Sequence, residues 1–117
     1  EGQQAAAIGY AEKLEALFPG RLYVELARRG DATEEAAEAG LIDLAYSRAL
    51  PLVATNPACF AEAAFHPAHD AMLCIAQSAY VESEDRQRSS PQSWLKPAEA
   101  MEDAFSDLPE AIRNTLV

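Results

Sequence analysis

The side chains best suited to chemistry in this 117-residue sequence are few and scattered. His66 and His69 stand three apart in "FHPAHDAM", Cys59 lies in "TNPACF", and Glu25 sits inside "LYVEL". A hard divalent metal wants carboxylate or imidazole donors. In "TNPACF", Asn56 offers a carbonyl oxygen, Pro57 offers nothing, and Cys59 offers a soft thiol. Zinc would take that thiol, but there is no CxxC and no His pair at zinc-ligand spacing. A free cysteine more often packs as a small hydrophobe.

Pro67 disfavours helical geometry at His66, which argues against both histidines facing one way. His69 and Asp70 are adjacent, and neighbours on a helix diverge, so they read as a polar helix entry rather than a catalytic pair. Glu25 has an apolar residue on either side; it faces a polar interior or pairs with a nearby arginine. Arg28 and Arg29 follow at the end of the same run, where a phosphate could bind. In so acidic a chain they read as a solvated pair beside a turn. No Ser-His-Asp order, P-loop or GxGxxG is present.

These residues depend on the elements that carry them. Ile8, Ala11, Leu14 and Phe18 repeat at helical spacing, and "FPGR" stops that helix. Leu22, Val24 and Leu26 alternate with Tyr23 and Glu25, a strand pattern. Asp31 is placed to cap a second helix, with Glu34 positioned to reach back to the cap. That helix runs through "EEAAEAGLIDLAYSRA", and Gly40 is a possible break in it. "LPLVAT" is a continuous apolar run of the kind covered on both faces. "TNPACF" then falls at the carboxyl end of a strand, where α/β proteins keep their functional groups.

Beyond residue 60 the pattern turns helical. "PAHDAMLCIAQSAY" places Met72, Ile75, Ala76 and Ala79 on one face. "VESEDRQRSSPQSW" is a polar loop, and "EDRQR" within it is uninformative alone. "KPAEAMEDAF" is a short helix, and Asp107 and Glu110 flank the start of another. The fold class is α/β, helix-rich, with two or three parallel strands. Two parallel strands make a poor sheet, so the chain reads as a piece of something larger, marginal or self-associating when alone.

Half of the residues are hydrophobic and 24% are charged, a globular composition. The net charge of −10 argues against gripping nucleic acid by surface charge; it reads first as a solvated acidic surface and would also suit a basic protein partner. No apolar run is long enough to cross a bilayer, and the amino-terminal stretch has no signal-like core. Cys59 and Cys74 form no disulfide framework. A reducing, cytoplasmic setting is the expectation.

Four stretches carry a family resemblance: "LFPGRLYVEL", "LIDLAYSRALPLVATN", "AHDAMLCIAQ" and "FSDLPEAIRNTL". In order and spacing they resemble the alpha subunits of bacterial DNA polymerase III, the replicative DNA-directed DNA polymerases (nucleotidyltransferases). The resemblance implies a PHP-type (β/α) barrel, of which residues 1–106 would be the latter part. Residues 107–117 would begin the helix leading toward the polymerase palm. Family members with a PHP metal site carry Asp and His where Pro57 and Cys59 stand here. The resemblance therefore implies a degenerate site, with no catalytic residue and no metal or other cofactor in this segment. It implies partnership with the rest of the polymerase chain and with the proofreading exonuclease subunit, and little direct contact with nucleic acid. The alternative is a metal-dependent phosphoesterase or 3'-5' exonuclease, using zinc or manganese held by Glu25, Cys59, His66 and His69.

Overall fold

The computed structural model describes residues 3–116. Its centre is a pair of short parallel strands, β1 (Val24–Ala27) and β2 (Leu52–Thr55), with Val24 opposite Leu52 and Leu26 opposite Ala54. Side chains alternate across a strand, so these four residues share one face, and all four are buried. Ala45 of the intervening helix joins them, as do Phe105, Leu108 and Ala111 from the end of the chain. Half-buried Leu41, Ile42, Leu50, Met101, Ala104 and Ile112 pack around this cluster.

The opposite face is not closed in the same way. Glu25 is exposed there, and Val53 and Thr55 are half-buried. The expectation that the second strand is covered on both faces is therefore corrected. Its neighbour puts a carboxylate on that side, and a carboxylate resists burial without a partner.

Preceding the sheet is α1 (Gln4–Leu17); joining the strands is α2 (Ala32–Ser47). The Asp31 carboxylate accepts the backbone N–H groups of Thr33 and Glu34, so the expected cap forms. Glu34 does not reach back to the cap as a capping box would. It accepts the backbone N–H of Arg29 and pairs with that residue's guanidinium. Gly40 does not break the helix, which runs unbroken past it. Gly20 and Gly30 hold φ values of 68° and 74° in the turns flanking β1, a region that glycine enters without steric cost.

The α1 stripe exists, but only Ala11 is buried. Ile8, Leu14 and Phe18 remain 36%, 41% and 52% exposed. Ion pairs from Arg48 to Glu12 and Glu15 tie this helix to the end of α2.

The later half is laid out as α3 (His66–Gln77), α4 (Ala98–Ala104) and α5 (Pro109–Arg113). Helix α3 buries Cys74 and leaves Met72 and Ile75 65% and 80% exposed, so its expected apolar face is turned outward. The loop after α3 returns alongside β2. Phe60 and Trp94 form a single parallel bridge there, the nearest approach to a third strand among the described residues. Helix α5 packs on β2, and Asn114 donates its side-chain amide to the Leu52 carbonyl at 2.8 Å. Among the described residues no helix is long and apolar enough to cross a membrane.

Candidate functional site

The carboxyl ends of β1 and β2 bring Arg28, Arg29, Asn56 and Pro57 toward one end of the sheet. Arg28 and Arg29 are not the free, solvated pair expected from the sequence. Arg28 forks onto Glu38 of α2 at 2.6 and 3.0 Å and onto Asp107 at 2.6 and 2.8 Å. It also donates to the Ala104 carbonyl at 2.7 Å, and its guanidinium lies 4.7 Å from the centre of the Phe105 ring. Planar guanidinium geometry suits this combination of bidentate pairing and stacking, which lysine cannot reproduce.

The electrostatic consequences run in the expected sense. The hydrogen bonds that Arg28 donates to Asp107 and then to Glu38 raise its pKa, and Arg28 in turn lowers that of the Asp107 carboxyl. Asp107 and Glu110 flank the start of the last helix, as the sequence indicates, with Asp107 just before the cap residue Leu108. The Asp107 carboxylate accepts from Arg28 rather than capping the helix. Arg29 is taken by Glu34, and its carbonyl accepts the Ser90 hydroxyl at 2.6 Å. Neither arginine stands open to a phosphate.

A shallow cleft of about 240 Å³ opens beside these groups, lined by Glu25, Arg29, Glu34, Glu38, Leu41 and Pro57. Three carboxylates face it, and its one cation is already paired, so the cleft repels anionic ligands. Glu25 itself accepts the Thr55 hydroxyl across the two strands at 2.6 Å. Of the two sequence readings of Glu25, a polar interior or an arginine partner, the second does not hold: its partner is a threonine in register with Ala27.

At the end of β2 the side-chain amide of Asn56 is used at both atoms. Its nitrogen donates to the Trp94 carbonyl at 2.6 Å, and its oxygen accepts the Lys96 ammonium at 3.1 Å. Burial lowers the Lys96 pKa. The Cys59 thiol is exposed and lies 3.8 Å from the Pro57 carbonyl. Cys74 is the buried thiol. The expectation that Cys59 packs as a small hydrophobe therefore fails, because its loop runs over the surface.

His66 and His69 come together, against the expectation that Pro67 would separate them. Proline is tolerated in the first helical turn, where its missing N–H costs nothing, and α3 begins at His66. Both histidines then face the same loop. His66 Nε2 lies 3.0 Å from the Ser89 carbonyl, and His69 Nδ1 lies 2.7 Å from the Ser89 hydroxyl. Phe60 packs beside both rings, at 6.0 and 5.3 Å between centroids. Among the described residues no group of three or more His, Cys, Asp or Glu side chains could hold a metal ion.

The neighbouring Asp70 binds Arg86 in a two-point pair at 2.6 and 2.8 Å, and accepts the Ser89 N–H at 3.2 Å. The Arg86 side chain is only 2% exposed. Nothing in "EDRQR" marks this arginine, whose partner lies 16 residues earlier on another element. Arg86, first, and the Ser89 N–H, second, hold the Asp70 carboxyl well below the ordinary carboxylate range. A depressed folded-state pKa gives stability that is complete above the unfolded value, about 3.9, and is lost as pH falls through the folded one. The difference in urea midpoint between the wild type and Asp70→Asn is therefore expected to be constant near neutrality. It should shrink progressively below about pH 4. A constant gap down to strong acid would show that the pair does not titrate as described.

These features define an α/β unit whose strand ends are closed by ion pairs and amide contacts. No family model matches the chain. Among curated proteins it is 47% identical over 115 residues to the DNA polymerase III subunit alpha of Caulobacter vibrioides, covering 98% of this chain and 10% of that one. It is 38% identical over 114 residues to that of Rickettsia prowazekii, covering 97% of this chain, and 39% identical over 117 residues to that of Neisseria meningitidis, covering 98%. The chain is thus homologous to a segment of bacterial DNA polymerase III alpha subunits, as the four sequence stretches suggested. It spans about a tenth of the length of these relatives.

Proposed function

We propose that the chain is a non-catalytic scaffold segment of a replicative DNA-directed DNA polymerase in the cytoplasm. In this reading residues 1–106 are the latter part of a PHP-like barrel domain, and residues 107–117 begin the connection toward the palm. Its partners are the rest of the polymerase chain and the proofreading exonuclease subunit. The homology supports the polymerase assignment.

The non-catalytic role rests on one observation above all. At the end of β2, the oxygen of Asn56 that a metal could use is held by the Lys96 ammonium. Pro57 and Cys59 follow, so a fixed positive charge lies beside a loop with no carboxylate and no imidazole. Such a donor set does not fit resident zinc or manganese.

In the purified chain, elemental analysis is expected to find no stoichiometric zinc or manganese. Metal retained through a chelator wash would overturn the reading. The alternative phosphoesterase or exonuclease would draw on Glu25, Cys59, His66 and His69. Glu25 is engaged by Thr55, and both histidines are engaged by Ser89. Activity on phosphodiesters that Cys59→Ser abolishes would favour that enzyme instead.

A further inference from the structure

Helix α3 is built inside out. A surface helix ordinarily turns its apolar stripe to the core and its polar residues to water. Here the contacts that anchor the helix are largely polar. Asp70 grips Arg86, and His66 and His69 meet Ser89. Gln77 exchanges two hydrogen bonds with the Gln87 backbone, at 3.0 and 3.2 Å. Of the helix's own residues Cys74 alone is buried.

The outward side is apolar. Phe65, with right-handed helical dihedrals immediately before α3, is followed by Ala68, Met72 and Ile75. All four are exposed. Their spacing of three, four and three residues is the a/d pattern of a coiled-coil seam. Such a seam runs along one side of the helix for about 15 Å. Single exposed hydrophobics need no explanation, but a contiguous apolar patch marks an interaction site. The polar anchors fix the helix from behind, so the seam is presented with its backbone already ordered.

The surrounding charges select the occupant. Glu62 precedes the stripe, and Glu82, Glu84 and Asp85 follow it, all exposed. The cations of residues 61–90 are Arg86 and Arg88, and Arg86 is taken by Asp70. Arg88 is left against four carboxylates. A second copy would set carboxylates against carboxylates in either helix direction, on a chain of net charge −10. Like charges across a seam oppose pairing, whereas Lys and Arg beside a partner's apolar stripe meet a complementary field.

We propose that the outward stripe of α3 is a docking site for a basic amphipathic helix of another protein, packed at the shallow crossing angle of a coiled coil. The contact is smaller than the roughly 800 Å² per partner of a standard interface, so binding is weak and reversible. Docking here rests on the scaffold reading for its setting and adds a place and a chemistry for the partner. Metal retention tests that reading, whereas docking is indifferent to metal, so the two fail separately.

The probe is a synthetic helical peptide with leucine at a and d and lysine at e and g, whose own lysines keep it from pairing with itself. Its binding to the full-length protein is followed by fluorescence anisotropy. Ile75→Ser and Met72→Ser are each expected to weaken binding about tenfold, the worth of one buried aliphatic side chain. Both residues are exposed, so neither change touches the core. Leu17→Ser, at an exposed leucine of α1, should leave binding unchanged. A matching peptide with glutamate in place of lysine should bind far more weakly. Absence of binding to the full-length protein would overturn the proposal, because the remaining chain then covers the stripe. Binding indifferent to both serine variants would overturn it too, as attraction by net charge alone. So would self-association that Ile75→Ser abolishes, which makes a second copy the occupant.

Discussion

Phe105→Ala is expected to cost about 3–5 kcal/mol, the range for removing a buried aromatic ring when its surroundings cannot collapse. Phe105 is 1% exposed and lies in the same buried cluster as Leu26, Leu52 and Ala54. The smallest residues of that cluster, Ala45, Ala54 and Ala111, have no side-chain length with which to fill the void. The loss is a large share of an ordinary domain's stability, about 5–15 kcal/mol. It is read as a fall in urea midpoint with the slope of the transition unchanged. A shift within the experimental error would mean that the last third of the chain does not complete the core.

Arg28→Ala should be next in size, about 2–3 kcal/mol. That estimate uses the worth of charge-assisted hydrogen bonds and is discounted because Asp107 is 60% exposed and screened by solvent. The change strands Glu38, which is only 24% exposed, and removes a donor from the Ala104 carbonyl. Arg28→Lys should recover part of the loss, since a lysine keeps the charge but cannot fork onto two carboxylates. The guanidinium also lies over the Phe105 ring, so the two substitutions should not add. A double-mutant cycle is expected to show coupling of about 0.5–1 kcal/mol. Strict additivity would show that the stacking contributes nothing.

These two residues also show how differently a sequence reveals its parts. Leu22, Val24 and Leu26 announced a strand because alternation is a local signal with a period of two. Asp31 announced a helix start because its cap bonds lie within three residues. The parallel α/β grammar followed, as did the resemblance carried by "PLVATN" and "DLPEAIRNT". The partners of Arg28 could not be read in this way. Asp107 lies 79 residues away, and an arginine after a strand is equally compatible with solvent or phosphate. Arg86 in its mixed-charge loop gave no sign of being buried. Nothing local to Lys96 marks its contact with Asn56, which lies 40 residues earlier.

The two helical stripes carry the same lesson from the apolar side. Period alone placed Ile8, Leu14, Met72 and Ile75 on helix faces, and all four are exposed. Periodicity states which residues share a face, but whether another element meets that face depends on the whole chain. Short-range spacing determined the elements, their caps and their order. Only the tertiary structure decided which charges are neutralised, which stripe is covered, and that Asn56 is occupied by a lysine. Ion pairs and core contacts act through space between residues far apart in sequence, and such distances leave no periodic mark.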